Sequence, residues 1–230
     1  HSIRRRQRQM CIRDSCIIAR SKEAKALGIK MGVPLFKVKD IVRKEKVHVF
    51  SSNYTLYGDM SRRVMNIISE FTNDIEIYSI DEAFIGLDGI PGDITEYGHK
   101  IRKTILRYTG IPVSVGIANT KTLAKIANHI AKDDESFAGV CSLLKSKNID
   151  KILSSIEVGE VWGVGRQLSK KLNMHSIYNV KQLKDAEDFR IRKMMSINGL
   201  KTVTELRGIS CLPLEAVSYT HLRAHETRIH

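Results

Sequence analysis

The sequence of 230 residues contains no apolar run of about 18 residues, so it offers no membrane-spanning helix. No apolar segment followed by a small-residue cleavage site opens it, which leaves secretion without support. Its four cysteines, Cys11, Cys16, Cys141 and Cys211, form neither a CxxC pair nor a zinc spacing. Unbridged thiols in a reducing compartment are the expectation. A histidine cluster for a metal loses weight as well, because four of the eight histidines lie at the two ends. What the chain does have is 42% hydrophobic residues, enough for a core in one large or two small domains.

Positive charge is in excess, at +13 formally. Residues 1–15 and 217–230 show no periodicity of a packing element, and both resemble translated adapter or vector sequence. Removing their +4 and +1 leaves +8 on residues 16–216, which still points to a polyanionic partner.

One stretch carries chemistry. In Tyr78-Ser79-Ile80-Asp81-Glu82-Ala83-Phe84, two carboxylates stand side by side between apolar runs. Ile75 and Ile77 before them, and Phe84 and Ile85 after, predict two short strands meeting at the acidic pair. Carboxylates in such surroundings need compensation, and a divalent cation is the strongest available. Mg²⁺ takes one or two carboxylates plus phosphate oxygens, and paired metals serve in-line phosphoryl chemistry. An exposed hairpin turn that merely prefers acids is the plain alternative.

Around this stretch the chain alternates short strands and helices. Cys16–Arg20 reads as a strand leading into a helix capped by Ser21 and stopped by Gly28, with Arg20, Lys22 and Lys25 crowding the turn. A solvated basic helix is the alternative there. Residues 35–50 alternate Lys with Val or Ile and end in the strand Val47–Phe50, with His48 on its polar face. Leu56, Met60, Val64, Ile67 and Ile68 predict a helix, and others are predicted over residues 95–108 and 120–132. The last is capped by Thr120 and buries Leu123, Ile126, Ala127 and Ile130. Lys125, Asn128 and Lys132 share its opposite side, all within about 40° of Lys121. A face of one sign predicts phosphate contact rather than an ordinary solvated surface.

Residues 142–216 read as all helical. In Val161-Trp162-Gly163-Val164-Gly165-Arg166, a hydrophobic-Gly-x-Gly turn opens a basic helix carrying Lys170 and Lys171. Such glycines let backbone amides approach a phosphate, which is helix-hairpin-helix chemistry for nucleic-acid backbone. Trp162 is expected as a core anchor, and Ser196-Ile197-Asn198-Gly199 as a degenerate second copy.

Together, Ile18-Ala19-Arg20 with Glu23–Gly28, Phe50–Tyr54, Tyr78–Phe84, Gly116-Ile117-Ala118 with Thr120–Lys125, and Val161–Gly165 resemble the Y-family, or translesion, DNA polymerases. The likeness is greatest to the catalytic-subunit type of bacterial DNA polymerase V. It implies an α+β fold, with small fingers (16–53), a palm with an antiparallel or mixed sheet (54–141), and an all-helical thumb with a helix-hairpin-helix element (142–216). It further implies error-prone nucleotidyl transfer with two Mg²⁺ ions, in DNA damage tolerance. Asp81 would bridge both ions, and Glu82 would help place the primer 3′-hydroxyl. Lys25 and Lys132, with Lys22, would contact the dNTP triphosphate. Lys121, Lys125, Gly163, Gly165, Arg166 and Lys170 would contact primer–template DNA. Many members carry Tyr at the position of Lys22 and Arg at that of Lys25, and lysine offers no bidentate fork.

The resemblance also implies partners: an accessory protein of the UmuD type, a recombinase filament and a sliding clamp. It implies a bacterial cytoplasmic, nucleoid-associated setting, with no membrane. The family's first palm strand, which carries another metal-binding aspartate and a steric gate, would precede residue 16, and Asp14 is not its substitute. The family's C-terminal DNA-gripping domain and clamp motif would follow residue 216. The chain is therefore expected to be a truncated fragment with little or no polymerase activity. Two readings compete: a DNA-backbone-binding module without chemistry, and a palm-type nucleotide cyclase. The Gly-x-Gly element argues against the cyclase, which needs no grip on a duplex.

Overall fold

Brief apolar runs separated by cap residues give short strands between capped helices, and the computed structural model describes residues 9–13, 16–144, 146 and 148–215. The chain divides into two units, residues 1–59 and 60–230.

The first unit holds a three-stranded sheet in the order β2-β1-β3. The central strand β1 (Gln9–Arg13) pairs antiparallel with β2 (Cys16–Arg20) and parallel with β3 (His48–Ser51). This corrects the exclusion of residues 1–15 from the fold. Ladder pairing uses backbone groups, so a strand can fill the centre of a sheet without a marked side-chain period. The remainder of residues 1–15, Asp14 included, and residues 216–230 lie outside the described residues. Ser21 caps α1 (Lys22–Ala26) by accepting from the Ala24 amide at 3.2 Å. Ile17, Ala24, Ile29, Val38 and Val47 form the core of this unit. The alternation expected over 35–50 gives way to a 3₁₀ turn at Leu35–Val38 and to α2 (Lys39–Lys44). Leu35, Val38 and Val42 recur at helical spacing and all pack on that core, so burial selects the helical period.

Helix α3 (Tyr54–Ser69) crosses the boundary between the units, and β4 (Ile75–Ile77) and β5 (Ala83–Ile85) follow as an antiparallel pair. Asp93 caps α4 (Ile94–Thr109) by accepting from the Thr95 and Glu96 amides, and Gly110 ends it at φ +72°. Val64 of α3 packs with Ile101 and Ile105 of α4 in a small core. β6 (Val115–Ile117) runs parallel to β7 (Val140–Ser142), with α5 (Lys121–Asp133) crossing between them in sequence. Among the described residues these two strand pairs are separate sheets, where a continuous palm sheet is expected. Gly116 permits a close approach of strand to helix backbone: a Cβ there would lie 2.2 Å from both the Ala124 carbonyl oxygen and the Asn128 nitrogen.

Helices α6 (Ile149–Ser154), α7 (Arg166–Met174), α8 (Val180–Asp185) and α9 (Asp188–Leu206) complete the unit. At Ser196 the backbone turns to φ +64°, so α9 is two helices joined at a corner, in the stretch read as a second hairpin. Leu123, Ile126 and Ala127 of α5 share one core with Leu153, Leu172, Ile191 and Leu206 of these helices. The composition shift near residue 142 is thus not a boundary between cores. Among the described residues no helix is long and apolar enough to cross a membrane.

Candidate active site

The acidic pair lies in the loop between β4 and β5, as the flanking isoleucines predict. The amides of Tyr78 and Ser79 both donate to the Glu82 carbonyl oxygen at 3.0 Å, which closes a tight turn. Within it the Ser79 hydroxyl donates to Asp81 Oδ1 at 2.6 Å, fixing the rotamer of an otherwise exposed carboxylate. Glu82 is half-buried, and its Oε2 receives Lys125 Nζ at 2.5 Å.

That contact shows where α5 sits. Its apolar face is buried as predicted at Leu123, Ile126 and Ala127, with Ile130 half-buried. Its basic face, however, lies against the hairpin rather than presenting a row of one sign. Lys121 Nζ pairs with Glu76 Oε2 at 2.5 Å and donates to the Pro213 carbonyl at 2.7 Å, so its ammonium is engaged inside the protein. Asn128 accepts from the Ser114 hydroxyl at 2.6 Å. Lys132 is exposed, seven residues beyond Lys125 on the same side, about 10 Å further along the helix axis. The expectation of three ammoniums facing outward is corrected: acids from the hairpin, distant in sequence, neutralise two of them.

Aromatic rings fill the angle between hairpin and helix. Tyr78 and Trp162 meet edge to face at 5.3 Å, and the indole N–H donates to the Tyr78 hydroxyl at 3.1 Å. Phe84 joins both rings, Lys125 lies over Tyr78 and Trp162, and Lys121 lies over Phe84. Trp162 is therefore half-buried against the hairpin rather than in a core. Val161 and Val164, its neighbours, hold the Gly-x-Gly turn to the helical core. Gly163, Gly165, Arg166 and Lys170 are exposed, and Gly163 takes φ +85°. Lys22 and Lys25 are exposed on α1, in the other unit.

Three residues of this arrangement went unread in the sequence: Glu76, Glu205 and Pro213. Glu76 had a signal, an acid between two isoleucines in a strand, which in a half-buried hairpin implies a buried ion pair. Glu205 is fully buried on α9, where its carboxylate accepts from the amides of Thr122, Cys211 and Leu212, and nothing local marks it.

Two adjacent carboxylates, one exposed and one held by a lysine, suit an ion of the Mg²⁺ type that also takes ligands from a phosphate. Among the described residues no group of three or more His, Cys, Asp or Glu comes together as a complete metal cage.

Protein UmuC of Salmonella typhimurium is 48% identical over 205 residues, covering 88% of this chain and 49% of that protein. DNA polymerase IV of Picrophilus torridus is 34% identical over 187 residues, covering 81% and 52%. The chain thus spans about half the length of the curated relatives it matches. Among solved structures, DinB from Sulfolobus solfataricus shares the fold with a TM-score of 0.73 at 24% identity, covering 91% of this chain and 62% of that one. An insertion ternary complex of Dbh DNA polymerase superposes with a TM-score of 0.75 at 24% identity, covering 90% and 62%. Residues 3–129 match the family described as impB/mucB/samB, and the chain belongs to that family.

Proposed function

We propose that this chain is the metal-binding and DNA-gripping part of an error-prone DNA polymerase, with Asp81 and Glu82 as its carboxylates. The observation that carries the reading is the Lys125–Glu82 contact. It sets a basic helix against the acidic hairpin, with the turn of exposed Gly163 and Gly165 joined to the same hairpin by Trp162. The reaction is nucleotidyl transfer: a primer 3′-hydroxyl attacks the α-phosphate of a dNTP and pyrophosphate leaves. Mg²⁺ held by Asp81 and Glu82 would supply charge neutralisation for the attacking and leaving oxygens. Ser79 keeps Asp81 oriented, and Lys125 balances Glu82 until substrate arrives. Lys132 offers ammonium charge to the triphosphate. The exposed amides at Gly163 and Gly165, with Arg166 and Lys170, hold duplex backbone without reading sequence. On this reading the thumb is the helical region after residue 142, and the accessory protein, recombinase filament and clamp act on the longer protein.

A second reading, a DNA-backbone module without chemistry, draws on the same contact, because Lys125 already neutralises Glu82. Mn²⁺ titration of the chain and of Asp81→Ala separates the two. Catalytic carboxylates predict that the substitution weakens Mn²⁺ binding about tenfold or more, since removing even a group that only supports a ligand costs about that much. Equal affinity in both proteins would overturn the metal assignment and leave the module.

A further inference from the structure

We infer that Trp162 is a positioning residue that couples duplex grip to metal binding, an inference resting on the function proposed above. The residue belongs to the Gly-x-Gly turn but faces away from it. Val161 and Val164, on either side, are 2% and 6% exposed and fix the turn in the helical core. Between them the indole reaches the acidic hairpin, donating to Tyr78 and packing on Phe84. Tyr78 stands three residues before Asp81, and its amide already helps close the turn onto the Glu82 carbonyl. The same indole forms one wall for Lys125, whose ammonium lies 5.9 Å from the ring centroid and 2.5 Å from Glu82 Oε2.

Trp162 therefore touches both routes by which the turn can act on the carboxylates, one through Tyr78 and one through Lys125. A duplex seated on the amides of Gly163 and Gly165 loads the turn, and the indole passes that load to the hairpin. A residue serving only to fill space would need neither the directed N–H nor contact with the lysine that balances the acid. A polar tip on a flat apolar body is also what a junction between two exposed surfaces calls for.

The test is the dependence of Mn²⁺ affinity on bound DNA, measured on the whole chain by paramagnetic resonance of unbound Mn²⁺. The probe is a primer–template duplex ending in a dideoxynucleotide, so that no primer hydroxyl reaches the metal, and Asp81→Ala gives the background. The intact chain is expected to bind Mn²⁺ about fivefold or more tightly with duplex than without, and Trp162→Ala to bring that ratio close to one. A ratio unchanged in Trp162→Ala, or no ratio in the intact chain while both ligands bind, overturns the inference alone. Mn²⁺ binding indifferent to Asp81 overturns the functional reading and the inference with it. Should Trp162→Ala lose its helical circular dichroism, Tyr78→Phe replaces it. Removing the hydroxyl that receives the indole N–H is then expected to lower the ratio about twofold, and an undiminished ratio overturns the inference.

Discussion

At the scale of the residue, the buried charges set the geometry of the second unit. Glu205 shows no exposure, yet its two oxygens accept from three backbone amides, at the first turn of α5 and at the chain following α9. The Thr120 hydroxyl, itself the cap of α5, donates to the Glu205 carbonyl at 2.9 Å. A carboxylate at a helix N-terminus also meets the positive end of its dipole. Glu205→Ala strands three backbone donors at once, one buried and two half-buried, and a loss of about 3 kcal/mol follows. Glu205→Gln keeps an oxygen acceptor and is expected to lose less. Urea unfolding checks the order, and an alanine variant within 1 kcal/mol of the parent, about the worth of a single ordinary hydrogen bond, would show that water replaces the carboxylate. Asp81 and Glu82 were legible in sequence because they adjoin each other between apolar runs. Glu76 signalled a need for a partner but not its identity, Lys121, 45 residues away, and Glu205 gave no signal that it would meet the start of α5, 83 residues away.

At the scale of the element, caps and periods served well where the signal was local. Ser21 and Thr120 read as helix caps in the chain and are so in the structure. The period failed over residues 35–50, where a two-residue alternation of lysine competed with a helical spacing of the apolar residues and burial favoured the latter. Gly116 belongs to this scale because it governs how an element packs. β6 runs so close to α5 that the obstacle to a side chain is backbone on both counts, which no rotamer change relieves. Gly116→Ala is expected to cost about 3 kcal/mol or more, at the upper end of overpacking. The strain should also shift α5, and with it Lys125 on Glu82. A thermal melt unaltered from the parent would mean that strand and helix slide apart freely.

At the scale of the molecule, the sequence made the fold class, the acidic hairpin and the basic turn legible, and composition suggested a change of character near residue 142. The sharing of cores was not legible, since Leu123 or Ile126 looks the same whichever neighbour buries it. One consequence concerns the chain's connectivity. Because α5 and helices α6 to α9 are buried on one another, the peptide link between residues 144 and 148 is not what keeps them together. Two polypeptides, 1–144 and 148–230, made in one cell should associate and leave a sizing column as a single species. Halves that elute separately would reveal that the covalent tether, not the interlocked leucines, maintains the assembly.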